Sequence, residues 1–319
     1  SFRPWERIDV PANLYLVREG RWLDLLMSRL RENGFRIFFT IFGFDPSFPD
    51  GAADPNRMDA VRRYVDYAVD RWGSFVDFWE LMNEANAPPE WIDQVAGFVR
   101  ARDPYRHAIS TSWERPELAS IDVSSPHWYE TEPELESDRR AAEVVDLAKE
   151  PGKLLIYGEQ GNGTTNWDER SAVRMRLRTW AAFFREGTFV FWNSSFAKDY
   201  ASGAANLYLG PEERGYVRAL HDFMVRVGPD ARIAPVSASQ GLRAYALAGR
   251  ASAFAYVVNA LDHEHLTTGS SIELDLPAGE VHFLEPATGR TLGTAAVHGG
   301  RTRLALPGFV TDLAVVVER

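Results

Sequence analysis

The chain of 319 residues contains no cysteine. No disulfide framework and no thiolate nucleophile or ligand can exist, and the redox compartment stays open. No apolar run approaches the roughly 18 residues of a membrane-spanning helix. Positive charge is in deficit: 35 Lys and Arg against 45 Asp and Glu leave a net charge of −10. That argues against nucleic acid or an anionic membrane as the main partner. No internal repeat or low-complexity tract is present. The opening residues SFRPWERIDV lack the pattern of a signal peptide, and the first residue is not Met, so a processed chain or a fragment is expected. What remains is 45% hydrophobic and 25% charged, the composition of a globular protein. The length allows one large domain or two of ordinary size.

Residues 1–228 alternate short apolar runs with helical patterns. RIFFTIFGF (36–44), SFVDFWELMNE (74–84), HAISTSW (107–113), IDVSSPHWY (121–129), KLLIYGEQ (153–160) and TFVFWNSSF (188–196) read as buried strands. Between them Met58, Val61, Val65 and Ala68 share one helical face. So do Trp91, Val95, Phe98 and Val99 behind Pro89, and so do Val173, Leu177, Trp180, Ala181 and Phe184. A last helix spans about 211–227. This alternation predicts parallel strands with helices packed outside them. Past residue 229 the pattern changes to short strands between Gly, Pro and Asn turns: GLRAYALAG, SAFAYVVNA, SIELDLPAG, VHFLEPATG, TRLALPG and DLAVVVE. These predict an antiparallel β-sandwich over 229–319, after an α/β domain over 1–228.

Two of the apolar runs end in acids. DFWELMNEANAPPEW (77–91) carries Glu80, Asn83 and Glu84, and LLIYGEQGNG (154–163) carries Glu159 before a Gly-containing loop. In parallel α/β domains the C-terminal strand ends face the loops that build active sites. Two glutamates there can converge on one cleft. Such a pair suits glycoside hydrolysis, in which one protonates the leaving oxygen while the other attacks the anomeric carbon or activates water. The bland alternative is that each Glu only solvates a strand end. SPHWY puts His127 and Tyr129 on one strand face, because strand side chains alternate. A Tyr hydroxyl can hydrogen-bond a carboxylate nucleophile and a His can orient the acid; a loop-edge His and a rim aromatic are the alternatives. Trp192, ending FVFW, offers a ring on which a sugar C–H face can stack, or else fills the core. Trp113, ending STSW, is a weaker stacking candidate. Asn83 could donate to a sugar 2-hydroxyl. Glu80 has the parity of Glu84 but lies deeper, where an ion pair with an Arg is expected. His263 and His265 in DHEH (262–265) lie in a polar loop between sandwich strands and read as solvated, not metal-binding.

WELMNE with a later YGE resembles clan A glycoside hydrolases, retaining enzymes on (β/α)8 barrels. The resemblance implies Glu84 as acid/base after the fourth strand and Glu159 as nucleophile ending the seventh. It implies Asn83 as the 2-hydroxyl partner, HWY as the H-x-Y of the sixth strand and Trp192 as the eighth-strand tryptophan. SFRPW is similar to the end of the second strand, where the clan places an arginine beside the nucleophile, which makes Arg3 the candidate. The 229–319 segment is similar to the small β-sandwich that often follows such barrels. The implied activity is a retaining β-glycosidase that acts on a carbohydrate and needs no cofactor or metal. Export is expected if the substrate is a polymer, with any signal lying upstream.

The chain departs from the clan pattern in several places. Ala85 stands where a proline usually follows N-E, and FGFD ends in Phe44 and Asp45 where many members carry a histidine. ERPELAS is too short for a full crossover helix between the fifth and sixth strands. Six strands precede residue 228, where a closed barrel has eight. The expected fold is therefore a TIM barrel incomplete at its N-terminus, with an open edge at the strand near 36–44. A carbohydrate-binding protein on a degenerate barrel, with the aromatic platform but no turnover, is the alternative.

Overall fold

The computed structural model describes residues 17–43, 55–85, 87–112, 115–163, 168–192 and 209–318. The chain forms two compact units, Ser1–His127 with Lys149–Gly158 and Trp128–Ala148 with Glu159–Arg319.

In the first unit, α1 (Val17–Glu32) precedes β1 (Phe38–Phe42), α2 (Pro55–Trp72), β2 (Phe78–Met82), α3 (Pro89–Arg102), β3 (Ala108–Ser110) and β4 (Val123–Ser124). Past β5 (His127–Glu130), the start of β6 (Leu154–Asn162) returns to this unit. The ladders are parallel and run β1–β2–β3–β4–β6, with Phe38 opposite Phe78, Trp79 opposite Ile109, Ser110 opposite Val123 and Ser124 opposite Leu155. Among the described residues β1 pairs only with β2. Its other edge is expected to be unpaired or covered by residues 1–12, which lie outside the described residues.

The expected faces Met58–Val61–Val65–Ala68 of α2 and Trp91–Val95–Val99 of α3 are buried, while Phe98 is only partly covered. Pro89 stands in the first turn of α3, where its missing N–H costs no hydrogen bond. At the other end of α3, buried Asp103 accepts from the Trp79 indole N–H at 3.1 Å. Helix α1, not distinguished by its periodicity, is tied down by Asp24, which accepts from Arg71 and from the Trp72 indole. The run 121–129, expected as one strand, is two. Pro126 interrupts it: it cannot donate to a ladder, and its carbonyl accepts from Gly158 N–H at 3.1 Å. The described part of ERPELAS, residues 115–120, is a turn, closed by Leu118 N–H on Arg115 O and Ile121 N–H on Leu118 O.

The second unit holds the rest of β5 and β6, with α4 (Ser137–Leu147), α5 (Ser171–Phe184), β7 (Thr188–Phe191) and α6 (Pro211–Met224). It also holds β8 (Arg232–Ile233), β9 (Val236–Ala238), β10 (Leu242–Ala248), β11 (Ser252–Asn259), β12 (Ser271–Leu284), β13 (Thr291–Ala305) and β14 (Asp312–Glu318). The stretch near residue 229, the expected domain boundary, lies between α6 and β8. These last seven strands pair antiparallel in the order β13–β12–β14–β11–β10–β8, with β9 on β12. The two strands expected over 271–279 and 281–289 are one, β12. Its first half pairs with β9 and its second with β14. Pro277 lies within β12, between Leu276 opposite Gly300 and Ala278 opposite His298, and Gly299 and Gly300 carry φ values of 88° and 81° that suit glycine. PAG thus lies inside a strand where it was expected to end one.

Helix α5 departs most from its sequence pattern. Leu177, Trp180, Ala181 and Phe184 are buried as expected, but so are Arg174, Arg176 and Arg178. The helix is covered on more than one side. Trp180 stacks on Tyr256 of β11 at 5.4 Å and meets Phe223 of α6 at 4.8 Å. Arg176 donates two bonds to Asp312, at 3.0 and 2.9 Å, and the Tyr256 hydroxyl donates a third at 3.0 Å. Burial alone would lower the Arg176 pKa, but Asp312 beside it raises it, so the cation persists. Arg176→Met would leave Asp312 buried without its cation and should cost about 3–5 kcal/mol in urea unfolding, and adding Asp312→Leu should recover most of that. A single-variant loss no larger than a surface substitution's would show that the pair does not hold α5 to the sandwich.

Candidate active site

Glu84 lies two residues past β2. Its φ of 51° is left-handed, costly for a residue with a Cβ. Ser112 supports that turn. Its buried hydroxyl accepts the Glu84 N–H at 2.7 Å and donates to Met82 O at 3.0 Å. Asn83, half-buried, donates its N–H to Phe42 O at 3.0 Å. The Glu84 side chain is 28% exposed, and its Oε1 lies 2.9 Å from Nδ1 of His127, which is 3% exposed. Deeper on β2, Glu80 is buried and accepts from the Thr40 hydroxyl.

His127 fits because residue 158 is glycine. A Cβ there would lie 2.7 Å from Ser125 Oγ and 3.1 Å from His127 Nε2. The Gly of YGE therefore makes room for the imidazole that meets Glu84. Its φ is not positive, so sterics and not backbone freedom demand it.

In the second unit the Tyr129 hydroxyl donates to Glu159 Oε2. Glu159 is half-buried and Tyr129 is 36% exposed. Trp128, between His127 and Tyr129, is buried and packs on Phe189 of β7 at 5.9 Å. Trp192 is half-buried one residue beyond β7, and its N–H donates to Gln160 O at 2.7 Å, beside Glu159. Strand β5 thus supplies a partner to each glutamate, His127 to Glu84 and Tyr129 to Glu159; Glu159, expected to end its strand, lies within β6, which runs on to Asn162. Arg3, Trp113, Phe44 and Asp45 lie outside the described residues. Ser112 and Gly158 were not singled out from the sequence; the only signals were a serine after a short strand and a glycine before an acid.

The DHEH histidines separate. His263 Nδ1 meets Glu134 Oε1 at 2.6 Å and its Nε2 meets Asn259 O at 2.9 Å, while His265 bonds Asp262. Arg170 also donates to Glu134. Burial alone would raise the Glu134 carboxyl, but the bonds from His263 and Arg170 outweigh it and hold it down at about 2.

No protein-family model matches the chain, and no curated protein matches it. Solved structures do. A Bacteroides vulgatus chain described as "a putative glycoside hydrolase" superposes with a TM-score of 0.62 at 14% identity over 98% of this chain, which spans 65% of that one. A GH30 endoxylanase from Clostridium papyrosolvens superposes with a TM-score of 0.56 at 14% identity, covering 94% of this chain and 84% of its own. The fold is like that of these two proteins. At such identities the likeness is one of architecture: a TIM-barrel-type parallel sheet followed by an antiparallel sandwich.

Two expectations follow. Gly158→Ala should displace the His127 ring and change its Nδ1 proton resonance in NMR, while Gly97→Ala, with nothing within 4 Å, should not. An unchanged His127 resonance in Gly158→Ala would contradict the steric account. The second concerns pH. A carboxyl lowered on folding stabilises the fold above its unfolded pKa and loses that contribution as pH falls through its folded value. For Glu134 the window runs from 4.5 down to about 2, and the contribution is about 3 kcal/mol. Melting temperature followed over that window should fall less steeply in Glu134→Gln than in the parent chain. Parallel slopes would remove Glu134 from the account.

Proposed function

We propose that this chain is a retaining β-glycoside hydrolase acting on a β-linked oligosaccharide, polysaccharide or glycoside. The observation that carries the reading is the double service of β5: His127 on Glu84 and Tyr129 on Glu159. Glu84 follows the apolar strand β2 and Glu159 lies in the C-terminal half of β6, near the strand ends at which barrel enzymes place chemistry.

In this reading Glu159 attacks the anomeric carbon and forms a glycosyl ester. Glu84 protonates the departing oxygen as the glycosidic bond breaks. Glu84 then takes a proton from water, whose oxygen attacks the anomeric carbon and releases Glu159 as carboxylate. Tyr129 donates to the Glu159 carboxylate and orients the oxygen that attacks. His127 holds the Glu84 carboxyl. Asn83 is assigned to the sugar 2-hydroxyl, Trp192 and Trp113 to stacking, and Arg3 to the neighbourhood of Glu159. The catalytic domain is assigned to 1–228 and the sandwich to 229–319.

A carbohydrate-binding protein without turnover is the second reading.

Hydrolysis of aryl β-glycosides decides between them. Glu159→Ala should lose turnover on every substrate, since no covalent intermediate can form. Glu84→Ala should keep turnover on dinitrophenyl glycosides, whose leaving group needs no proton, and lose it on unactivated ones. Azide should restore its rate by attacking the glycosyl-enzyme. Equal losses on both substrate types would remove the role given to Glu84, and sugar binding without hydrolysis by the parent chain would select the second reading.

A further inference from the structure

Arg178 has no solvent exposure, yet it carries a charge into the space behind β5 and β6. Its Nε donates to Glu132 Oε1 at 2.7 Å, and Nη2 donates to the same oxygen. Its Nη1 donates to Asn162 Oδ1 at 2.8 Å. The guanidinium carbon lies 5.5 Å from the centre of the Trp128 ring. One side chain from α5 therefore touches β5 at Trp128, the segment just past β5 at Glu132, and the end of β6 at Asn162. Arg174, one turn earlier, donates to the same Asn162 oxygen at 3.1 Å.

These contacts lie on the reverse of the proposed site. Trp128 sits between His127 and Tyr129 in sequence, so alternation sends it to the opposite strand face. Asn162 is three residues past Glu159 on β6, an odd separation with the same consequence. The front of the strand pair carries the hydrogen bond from Tyr129 to Glu159. The back carries the guanidinium.

Stability alone is a poor reason for this arrangement. A buried ion pair is often replaceable by apolar residues of similar volume at no net cost. Burial, and the neighbouring Arg174 cation, push the Arg178 guanidinium down to about 9. What a planar guanidinium supplies that apolar packing cannot is direction, through donors fixed in one plane. We propose that Arg178 is a positioning residue: it fixes β5 against β6 and so aims the Tyr129 hydroxyl at the Glu159 carboxylate. The inference rests on the reading of Glu159 as nucleophile.

The test needs variants that fold. Arg178→Met alone leaves Glu132 buried without its guanidinium, so it is paired with Arg178→Met/Glu132→Gln, which removes both charges. Arg185→Met, which breaks the more exposed pair with Asp146 just past the same helix, is the control. Thermal melting verifies the fold of each. In the folded double variant kcat on aryl β-glycosides should fall roughly 100-fold, the cost of a displacement of about 1 Å at a reacting group. KM should stay within about twofold, because the group that moves acts on the reacting carbon and not on the rest of the sugar. Activated and unactivated leaving groups should suffer alike, and the acidic limb of the kcat/KM profile should shift. Independently of turnover, the 13Cζ resonance of Tyr129 should move in the double variant and stay put in Arg185→Met. A folded double variant with parent kcat, pH profile and Tyr129 resonance would overturn the proposal and leave Arg178 purely structural. If the parent chain hydrolyses no glycoside, the glycosidase reading falls, and the Tyr129 resonance alone still decides whether Arg178 aims that hydroxyl.

Discussion

The strict alternation of side chains along β5 is the constraint on which the site depends. His127 and Tyr129 leave one face of the strand and Trp128 leaves the other. The forward pair meets Glu84 and Glu159, and the backward residue meets Phe189 and the Arg178 guanidinium. A shift of β5 by one residue would exchange the faces and put an indole where the hydroxyl and imidazole stand. Pro126 and Gly158 hold that register. Pro126, between β4 and β5, offers its carbonyl to Gly158, and Gly158 leaves the volume His127 occupies. The motifs HWY and YGE are thus one device read from two strands.

Charge inside the second unit follows from how α5 is covered. Strands lie against one part of its surface and the sandwich against another, so three arginines that would face water on a free helix are enclosed. Each is supplied with acceptors: Arg176 with Asp312, Arg178 with Glu132 and Asn162, Arg174 with Asn162 and Asp168. Removing one member of such a pair is costly, though the intact pair adds little net stability. The sandwich therefore shares a compact unit with α5 and α6, joined through the Trp180–Tyr256 stack and the Arg176–Asp312 pair.

Much of the fold was legible because its periods are clean. The faces of α2 and α3 follow helical spacing into burial, and the apolar runs of β1, β2 and β6 and the last strand DLAVVVE form strands where apolar residues cluster. The illegible parts have separate physical causes. Helix α5 hid its arginines because local spacing cannot show that two layers will cover it. Pro126 split one expected strand and Pro277 failed to split another. The difference lies in the pairing: β13 stays paired with β12 on both sides of Pro277, whereas Ser124 and His127 on either side of Pro126 belong to separate strands. Glu84 and Glu159 could be named from the apolar runs that precede them. Ser112 could not, since a serine hydroxyl that steadies a left-handed turn leaves no trace in spacing. Nor could the partner of Glu134, which comes from a histidine 129 positions away.

The central claim is a double displacement at the anomeric carbon through Glu159. The stereochemistry of the first-formed product tests it most directly. Hydrolysis of an aryl β-glycoside, followed by 1H NMR of the anomeric proton before mutarotation, should show the β-anomer of the free sugar first and the α-anomer only later. First appearance of the α-anomer would mean a single displacement by water, and would contradict the assignment of Glu159 as nucleophile.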